Sequence, residues 1–464
     1  MAEQAKFLEG SLLGHVTVMS LTASIGLMAV FVVDFVDMIF ISMLGKDELA
    51  AAVGYAGAIL FFTTSFGIGM AIAAGALVAK ALGAGDEELA AQRAATSLFW
   101  GVVFGAVFAA VVWVNLRPIA ALVGASGVTL DLAVGYLAII IPTMPVLLVG
   151  IVGSAVLRAH GAARKAMTAT LIGGAINAVL DPILIFGLDM ELAGAAWASV
   201  AARFGIAAAA ITGILRDHGG LKMPPASALF GDFRPILAIA APAILTQLAT
   251  PIGQAYVTRS MAEFGEAAVA GMAIVARITP VAFGVIFALS GAVGPIIGQN
   301  YGAGRHDRVR EAFRDALVFT ASVVIAISIA LFLLRVPIVT LFEAEGITRT
   351  LVFLFCGPLA LAFFFNGLIF VSNAAFNNLG HPFYSTWINW GRHTLGTIPF
   401  VIAGAALFGA PGVLIGQAAG GFLFGMIALY LARRVIGLEG EKEAESLDDF
   451  ERQKRTFQMF HHRR

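Results

Sequence analysis

The chain has 464 residues, of which 59% are hydrophobic and only 12% are charged, with a mean hydropathy of +0.90 and a formal net charge of zero. Soluble domains carry roughly 25% charged residues, so this composition excludes a soluble protein. The zero net charge offers no basic footprint, and we expect no nucleic-acid partner.

Twelve apolar segments follow one another along the chain, each long enough to cross a bilayer, which takes about 20 residues. Their approximate centres are Leu27, Phe66, Phe104, Ile141, Ala175, Gly205, Gln247, Ile286, Ile325, Ala362, Gly391 and Phe422. Their continuous apolar runs lack the two-residue alternation of barrel strands, so the spans must be helices. The first is too long for the apolar core of a signal peptide and is expected to remain as a spanning helix. We therefore predict an all-α polytopic membrane protein with twelve transmembrane helices.

The chain repeats itself. Gly83-Ala84-Gly85 recurs as Gly302-Ala303-Gly304, 219 positions later (302 − 83), and Gly161 recurs as Gly380 at the same offset. Six segments in each copy mean that both copies enter the membrane from the same side. We expect two six-helix lobes related by a pseudo-twofold axis along the membrane normal, with a cavity between them.

The predicted boundaries are an N-terminal lobe at 1–218, a cytoplasmic linker at 219–232, a C-terminal lobe at 233–437 and a charged cytoplasmic tail at 438–464. The linker contains Gly219-Gly220 and Pro224-Pro225. The tail is rich in Glu and Asp, and we expect a solvated extension that is helical in part or disordered.

Basic residues set the predicted orientation. With the N-terminus in the cytoplasm, fifteen Lys and Arg residues fall on the cytoplasmic side and five on the other, before the tail is counted. The fifteen are Lys6, Lys80, Arg93, Arg158, Arg164, Lys165, Arg216, Lys222, Arg234, Arg305, Arg308, Arg310, Arg314, Arg433 and Arg434; the five are Lys46, Arg117, Arg259, Arg335 and Arg349. The positive-inside rule then places both termini in the cytoplasm.

Several motifs together resemble one family. They are VDMIFISMLG at 36–45, INAVLDPILIFG at 176–187, IGQNYGAG at 297–304 and the two Gly-Ala-Gly loops. In this order, and within a six-plus-six repeat, they look like the multidrug and toxic compound extrusion (MATE) family. The resemblance implies an export carrier that alternates between inward-open and outward-open states, driven by inflowing H⁺ or Na⁺ and needing no cofactor.

Three acids lie well inside apolar segments: Asp34 and Asp37 in the first, and Asp181 in the fifth. Acids within a bilayer are costly, by about 2.5 to 3.5 kcal/mol on insertion scales, and are functional by default. Asp34 and Asp37 are three residues apart and share a helix face, as do Asn177 and Asp181, which are four apart. Clustered acids cannot all ionise cheaply, so we expect at least one to carry a proton near neutral pH.

The DinF-like branch of the family is similar in placing an acid in the first helix and an Asn-x-x-x-Asp pair in the fifth. The resemblance therefore implies coupling through Asp37, Asn177, Asp181 and Ser199, which would also be the ligands if the ion is Na⁺. Asp34 lies outside the motif, and two interpretations stay open, a member of the site or a charge on a water-filled wall. The positions 219 residues later are Gly253, Tyr256, Gly396 and Phe400, none of them acidic.

Other polar residues within the segments are candidates for lining the substrate cavity. They are Arg203, Gln247, Gln254, Arg277 and Asn366. Arg203 is four residues after Ser199, so we expect it either to approach the acids or to face water. The single cysteine, Cys356, lies in an apolar run and is expected to be a packing residue.

The sequence thus predicts a monomeric secondary antiporter of the cell (inner) membrane that exports amphiphilic or cationic organic compounds. The alternative is a flippase for lipid-linked polysaccharide or peptidoglycan precursors, which would have a strongly cationic cavity and often more than twelve helices. No HExxH, Walker A or Gly-x-Ser-x-Gly motif is present in the sequence, and we expect neither an enzyme nor an ATP-driven pump.

Overall fold

The computed structural model describes residues 5–217, 221 and 224–461, with the backbone alone for Asp217 and from 441 onward. Part of the predicted linker, including Gly219-Gly220 and Lys222, and the last three residues of the tail lie outside this part. The described chain is almost entirely helical.

The crossings are numbered α1 to α12. They are α1 (Leu12–Met43), α2 (Asp47–Gly83), α3 (Glu87–Val114), α4 (Gly127–Ala159), α5 (Ala163–Gly187), α6 (Glu191–Arg216), α7 (Ala226–Ala262), α8 (Glu266–Gly302), α9 (His306–Leu341), α10 (Gly346–Asn378), α11 (Pro382–His393 and Ile398–Phe408) and α12 (Ala410–His461). A 3₁₀ turn (Lys6–Leu8) precedes α1, and a short helix (Leu116–Val123) links α3 to α4. In the described residues, eleven helices are long and apolar enough to cross a membrane, and the broken α11 completes the predicted twelve.

The repeat is visible in the helix starts. Asp47 and Glu266, the first residues of α2 and α8, are 219 positions apart (266 − 47), and the same offset relates the starts of α3 and α9, α4 and α10, α5 and α11, and α6 and α12. The predicted six-plus-six architecture is confirmed. The first helices of the two copies are less regular, since α7 begins at Ala226, within the stretch predicted as linker.

The two copies differ in α5 and α11. Helix α5 continues through Pro182 into a π turn (Ile183–Gly187). Proline lacks the N–H that would complete the helical ladder, and wider turns of this kind absorb such a defect. Helix α11 instead breaks between His393 and Ile398. Gly396, the counterpart of Asn177, lies in that break, so the symmetry fails in the backbone as well as in the side chains.

The copies meet where α1 and α7 begin and where α2 and α8 end, which we call the basic end. There the glycines of the repeated loops let two backbones touch. A Cβ on Gly83 would lie 1.9 Å from the Gln299 carbonyl oxygen, and one on Gly302 would lie 2.0 Å from the Lys80 carbonyl oxygen. Only glycine permits such an approach between helices.

Away from the basic end the lobes separate. Helix α8 is kinked at Phe283, and its buried residues are concentrated from there to Asn300. In α1, all of which is described, no residue between Gly26 and Ile41 is buried. The lobes are therefore packed together at the basic end, and we infer that the cavity between them opens toward the other end.

Two further contacts tie the lobes together at the basic end. In one, the peptide oxygen of Phe7 accepts hydrogen bonds from Asn300 Nδ2 and Arg308, both at 3.1 Å. In the other, the buried Asp232 of α7 pairs with Arg93 of α3 at 2.7 Å and accepts a 2.8 Å hydrogen bond from Thr96. In each case the start of one copy is held by the other copy.

Candidate functional site

The predicted coupling residues lie in the first lobe, where α5 packs between α1 and α6. Close packing of α5 on α6 is set at Gly173, where a Cβ would lie 2.3 Å from Ile206 Cγ1. On α5, Asp181 is completely buried and Asn177 is 2% exposed. Asp37 of α1 is half-buried, and its carboxyl group faces that of Asp181. The structure thus brings three of the predicted residues together on α1 and α5, although Asp37 precedes Asn177 by 140 positions in the sequence.

Four buried oxygens of this cluster lack a hydrogen-bond partner among the described residues. They are Oδ1 of Asp37, Oδ1 of Asn177 and both carboxyl oxygens of Asp181. A buried acceptor without a donor costs about 1 to 3 kcal/mol, and more when it is charged. A small cation, either a proton or Na⁺, would satisfy these oxygens.

Tyr136 of α4 belongs to the cluster, although the sequence prediction did not include it. Its hydroxyl lies beside Ser199 of α6 and within electrostatic range of Asp37, Asp181 and Arg203. Tyrosine is neutral and common in apolar spans, so no charge or motif marked it. Ser199, half-buried, reaches the edge of the cluster at Tyr136.

Arg203 is half-buried within the first lobe and makes no ion pair with the acids in the described structure. Its Nη1 donates to the Ile140 carbonyl at 3.0 Å and to Thr143 Oγ1 at 2.9 Å. These acceptors lie at the 3₁₀ turn of α4 (Ile141–Thr143), where the helical ladder is interrupted. The guanidinium therefore secures the break in α4 and does not line the inter-lobe cavity.

Asp34 occupies an exposed position on α1, beside Asp37 and not in contact with Asp181. The predicted cluster of three acids is therefore a buried pair with one exposed neighbour. In the described residues, no group of three His, Cys, Asp or Glu side chains could hold a metal ion. A Na⁺ here would need the amide oxygen of Asn177.

The remaining predicted cavity residues do not join the cation cluster. Gln254 of α7 is exposed and accepts a 3.3 Å hydrogen bond from Gln417 of α12, while Gln247 is half-buried. Asn366 of α10 has a buried Oδ1 without a partner among the described groups. Arg277 is exposed on α8 and makes no hydrogen bond or ion pair to the described chain.

Comparison with known proteins assigns the family. Residues 23–183 and 242–402 each match the family model described as MatE. The two matches start 219 positions apart (242 − 23), the offset that relates the helices, and they cover more than half of the chain. The chain belongs to the MATE family. The expectation from the motifs is confirmed, and the DinF-like branch stays a prediction.

Two relatives of this MATE protein carry names that refer to different transported compounds. A protein of Shewanella oneidensis named FAD transporter is 27% identical over 425 residues, covering 90% of this chain and 93% of that protein. The multidrug export protein MepA of Staphylococcus aureus (strain N315) is 24% identical over 401 residues, covering 85% and 88%.

Solved structures show the same fold. A crystal structure of a Vibrio cholerae MATE transporter superposes with a TM-score of 0.86 at 24% identity, covering 92% of this chain and 97% of that one. An outward-facing multidrug resistance MATE family transporter gives a TM-score of 0.87 at 21% identity, covering 94% and 99%. At these sequence identities, the similarity supports the fold of this MATE protein and assigns neither its substrate nor its coupling ion.

Proposed function

We propose that this MATE protein is a proton-coupled antiporter that exports small organic compounds through the inter-lobe cavity. The observation that carries the proposal is the set of four buried, unpartnered oxygens on Asp37, Asn177 and Asp181. A proton placed between two facing carboxyl groups supplies the missing donor without any further ligand. Hard metal cations take about six or more oxygens, which favours H⁺ over Na⁺ at this site.

The coupling follows from differential affinity. A proton can drive the carrier only if it binds one state more tightly than the other. The paired acids lie inside the first lobe, where α1, α5 and α6 meet, and α1 also packs against α8 of the second lobe. We propose that protonation of the pair tightens the contact of α1 with α5 and so alters the face that α1 presents to the cavity and to α8.

The orientation of the carrier is part of the proposal. We assign the basic end to the cytoplasm and the protein to the cell (inner) membrane, as the basic loops predict. Residues near the start of α1 and in the later part of α12 lie there, since Lys6 donates to the Gly161 carbonyl at 3.0 Å and Glu439 accepts from Tyr301 at 2.9 Å. With this assignment the cavity is closed to the cytoplasm and open outward. The lobes 1–218 and 233–437 are the two bodies that rock, in a monomer.

The relatives suggest the substrate range. One is named for FAD and one for multidrug export, and FAD is an amphiphilic aromatic compound. We propose amphiphilic aromatic compounds as the exported class. The flippase alternative is not favoured, because the chain has twelve crossings and belongs to the MATE family.

The test is efflux from reconstituted vesicles under an imposed pH or Na⁺ gradient, with ethidium as the transported dye. We expect the pH gradient to drive export by wild type, and Asp181→Asn and Asp37→Asn to lower the rate at least a hundredfold. Asp131→Asn is the matched control, since Asp131 is 63% exposed and lies outside the lobe interior. Export by both inner variants at the wild-type rate would contradict coupling through this pair, and a response to Na⁺ alone would replace the proton.

A further inference from the structure

Arg158 is the last charged residue of α4, and its side chain points into the molecule. Ala159, the next residue, accepts a 2.7 Å hydrogen bond from Gln299, one of the contacts that close the basic end. Helical side chains tilt toward the N-terminus of their helix. Helix α4 begins at the opposite end, so this tilt carries the Arg158 guanidinium away from the cytoplasm and over the closed floor of the cavity.

The distance to Gly291 of α8 locates the Arg158 side chain. A Cβ on Gly291 would lie 3.8 Å from Arg158 Nε. Gly291 precedes Gln299 by eight residues, which is about 12 Å of helix toward the membrane centre. The sequence analysis counted Arg158 among the basic residues of the cytoplasmic side, and its backbone lies at the basic end of α4, while its side chain turns toward Gly291. An arginine that reached for the cytoplasm would extend in the other direction.

The space beside Arg158 belongs to the inter-lobe cavity. Arg158 is half-buried and Gly291 is exposed, while α4 comes from the first copy and α8 from the second. Arg158 and Gly291 therefore face each other across the junction of the two lobes, and we place the space beside them in the cavity. Other cations of the closed end are engaged, with Lys80 held 4.7 Å above the Tyr301 ring and Lys6 donating to the Gly161 carbonyl.

The guanidinium has no partner among the described residues. Two other arginines of the first lobe that lie inside are engaged, Arg93 by Asp232 and Arg203 by two oxygens of α4. A cation in a low-dielectric cavity is costly unless something of opposite charge meets it. Its planar fork suits a carboxylate or a phosphate in particular.

We propose that Arg158 is the docking point for an anionic group, a carboxylate or phosphate, of the exported compound. This rests on the proposed function, in which the inter-lobe cavity carries that compound. When the cavity opens to the cytoplasm, the contact between Ala159 and Gln299 parts and Arg158 meets the entering anion. Arg277 lies fourteen residues before Gly291 on α8, beyond the kink at Phe283 and toward the outer mouth, where it is exposed. It offers a second cation along the way out.

Riboflavin and flavin mononucleotide test the proposal, because they share one ring system and differ by a phosphate. Efflux of each is measured in the reconstituted protein under a pH gradient, beside ethidium. We expect Arg158→Gln to lower export of flavin mononucleotide at least tenfold and to leave riboflavin and ethidium within twofold of wild type. Arg158→Lys should restore part of the phosphate preference, and Arg164→Gln, an exposed arginine at the same end, should change nothing.

The outcomes separate the two proposals. Ethidium export by wild type without any export of flavin mononucleotide overturns the anion site and leaves the antiporter intact, whereas failure to export all three compounds overturns the antiporter. Equal losses for all three in Arg158→Gln, or no loss in any, also overturn the anion site. A parallel experiment in vesicles that contain headgroup-labelled phosphatidylglycerol tests whether the phosphate belongs to a lipid. Transport of that lipid by wild type but not by Arg158→Gln would show that the site binds lipid headgroups.

Discussion

At the scale of single residues, neighbours decide what each intramembrane charge does. Asp34 and Asp181 are both acids in apolar spans, yet Asp34 is exposed and Asp181 is completely buried. Arg203 and Arg158 are both half-buried arginines of the first lobe, yet one is fixed to α4 and the other lies against α8 of the second copy. Neither the sign of the charge nor its position within an apolar segment predicts these differences. Each depends on the residues that the packed helices place opposite the side chain.

We expect Arg203 to be a structural residue. Replacing it by methionine removes charged hydrogen bonds to Ile140 and Thr143, each worth about 1.5 to 3 kcal/mol at most when buried, and the partial exposure of Arg203 places the loss at the lower end. The melting temperature of Arg203→Met, followed by intrinsic fluorescence, should fall by several degrees while the pH dependence of export stays that of wild type. A changed pH dependence with unchanged melting would show instead that Arg203 acts on the paired acids.

At the scale of helices, the basic end is built from contacts that differ in how easily they open. The Phe7 contact joins a neutral peptide oxygen to the buried Asn300 and the half-buried Arg308, while the Asp232 contact is a buried ion pair with two hydrogen-bonding neighbours. Parting a buried ion pair leaves two charges without compensation, which is more costly than parting hydrogen bonds to a neutral peptide oxygen. Rocking of the lobes is therefore expected to open the α1 side and to pivot about α7 and α3.

The crossing of α2 and α8 gives a direct test of this closure. In Gly302→Val the new Cβ would lie 2.0 Å from the Lys80 carbonyl, so the basic end cannot close and the inward-open state should gain population. The reporter is Gly291→Cys in a Cys356→Ala background, where the only natural cysteine has been removed. Labelling by a membrane-impermeant maleimide from the cytoplasmic side should rise at least tenfold.

Gly231→Val is the matched control for that experiment. Gly231 lies at the same end on α7, and an added Cβ meets nothing within 4 Å. Its labelling rate should equal that of the parent. A rise of the same size in both variants, or in neither, would refute the role of the crossing.

At the scale of the whole molecule, the duplication builds two lobes and the departures from it provide the chemistry. Five of the six pairs of helix starts keep the 219-residue offset, while the acids, the π turn of α5 and the break of α11 do not. A symmetric pair of lobes suffices to form a cavity with two mouths. A single protonatable pair in one lobe is then enough to bias which mouth is open.

The orientation predicts a labelling pattern for intact cells. In the Cys356→Ala background, Arg117→Cys should react with an impermeant maleimide from outside and Arg310→Cys should not. Both positions are freely accessible in the structure, with side chains 63% and 61% exposed. Reversal of this pattern would place the basic end outside and would overturn the direction of transport.

The sequence by itself determined the number of crossings, the repeat and the lobe that carries the buried acids. Hydropathy, spacing and the 219-residue offset are properties of the chain, and bilayer thickness converts them directly into helices. It also grouped Asp37 with Asn177 and Asp181, since residues three or four apart share a helix face and the resemblance joined the two helices.

Only the tertiary structure decided which of these groups are left without partners. The exposure of Asp34, the inclusion of Tyr136, the fixing of Arg203 and the inward direction of Arg158 all depend on contacts between helices far apart in the chain. Such contacts follow from how close the backbones approach, which in this protein is set by glycines such as Gly83, Gly173 and Gly302. Burial and charge pairing are properties of those approaches, so no local pattern in the sequence could have fixed them.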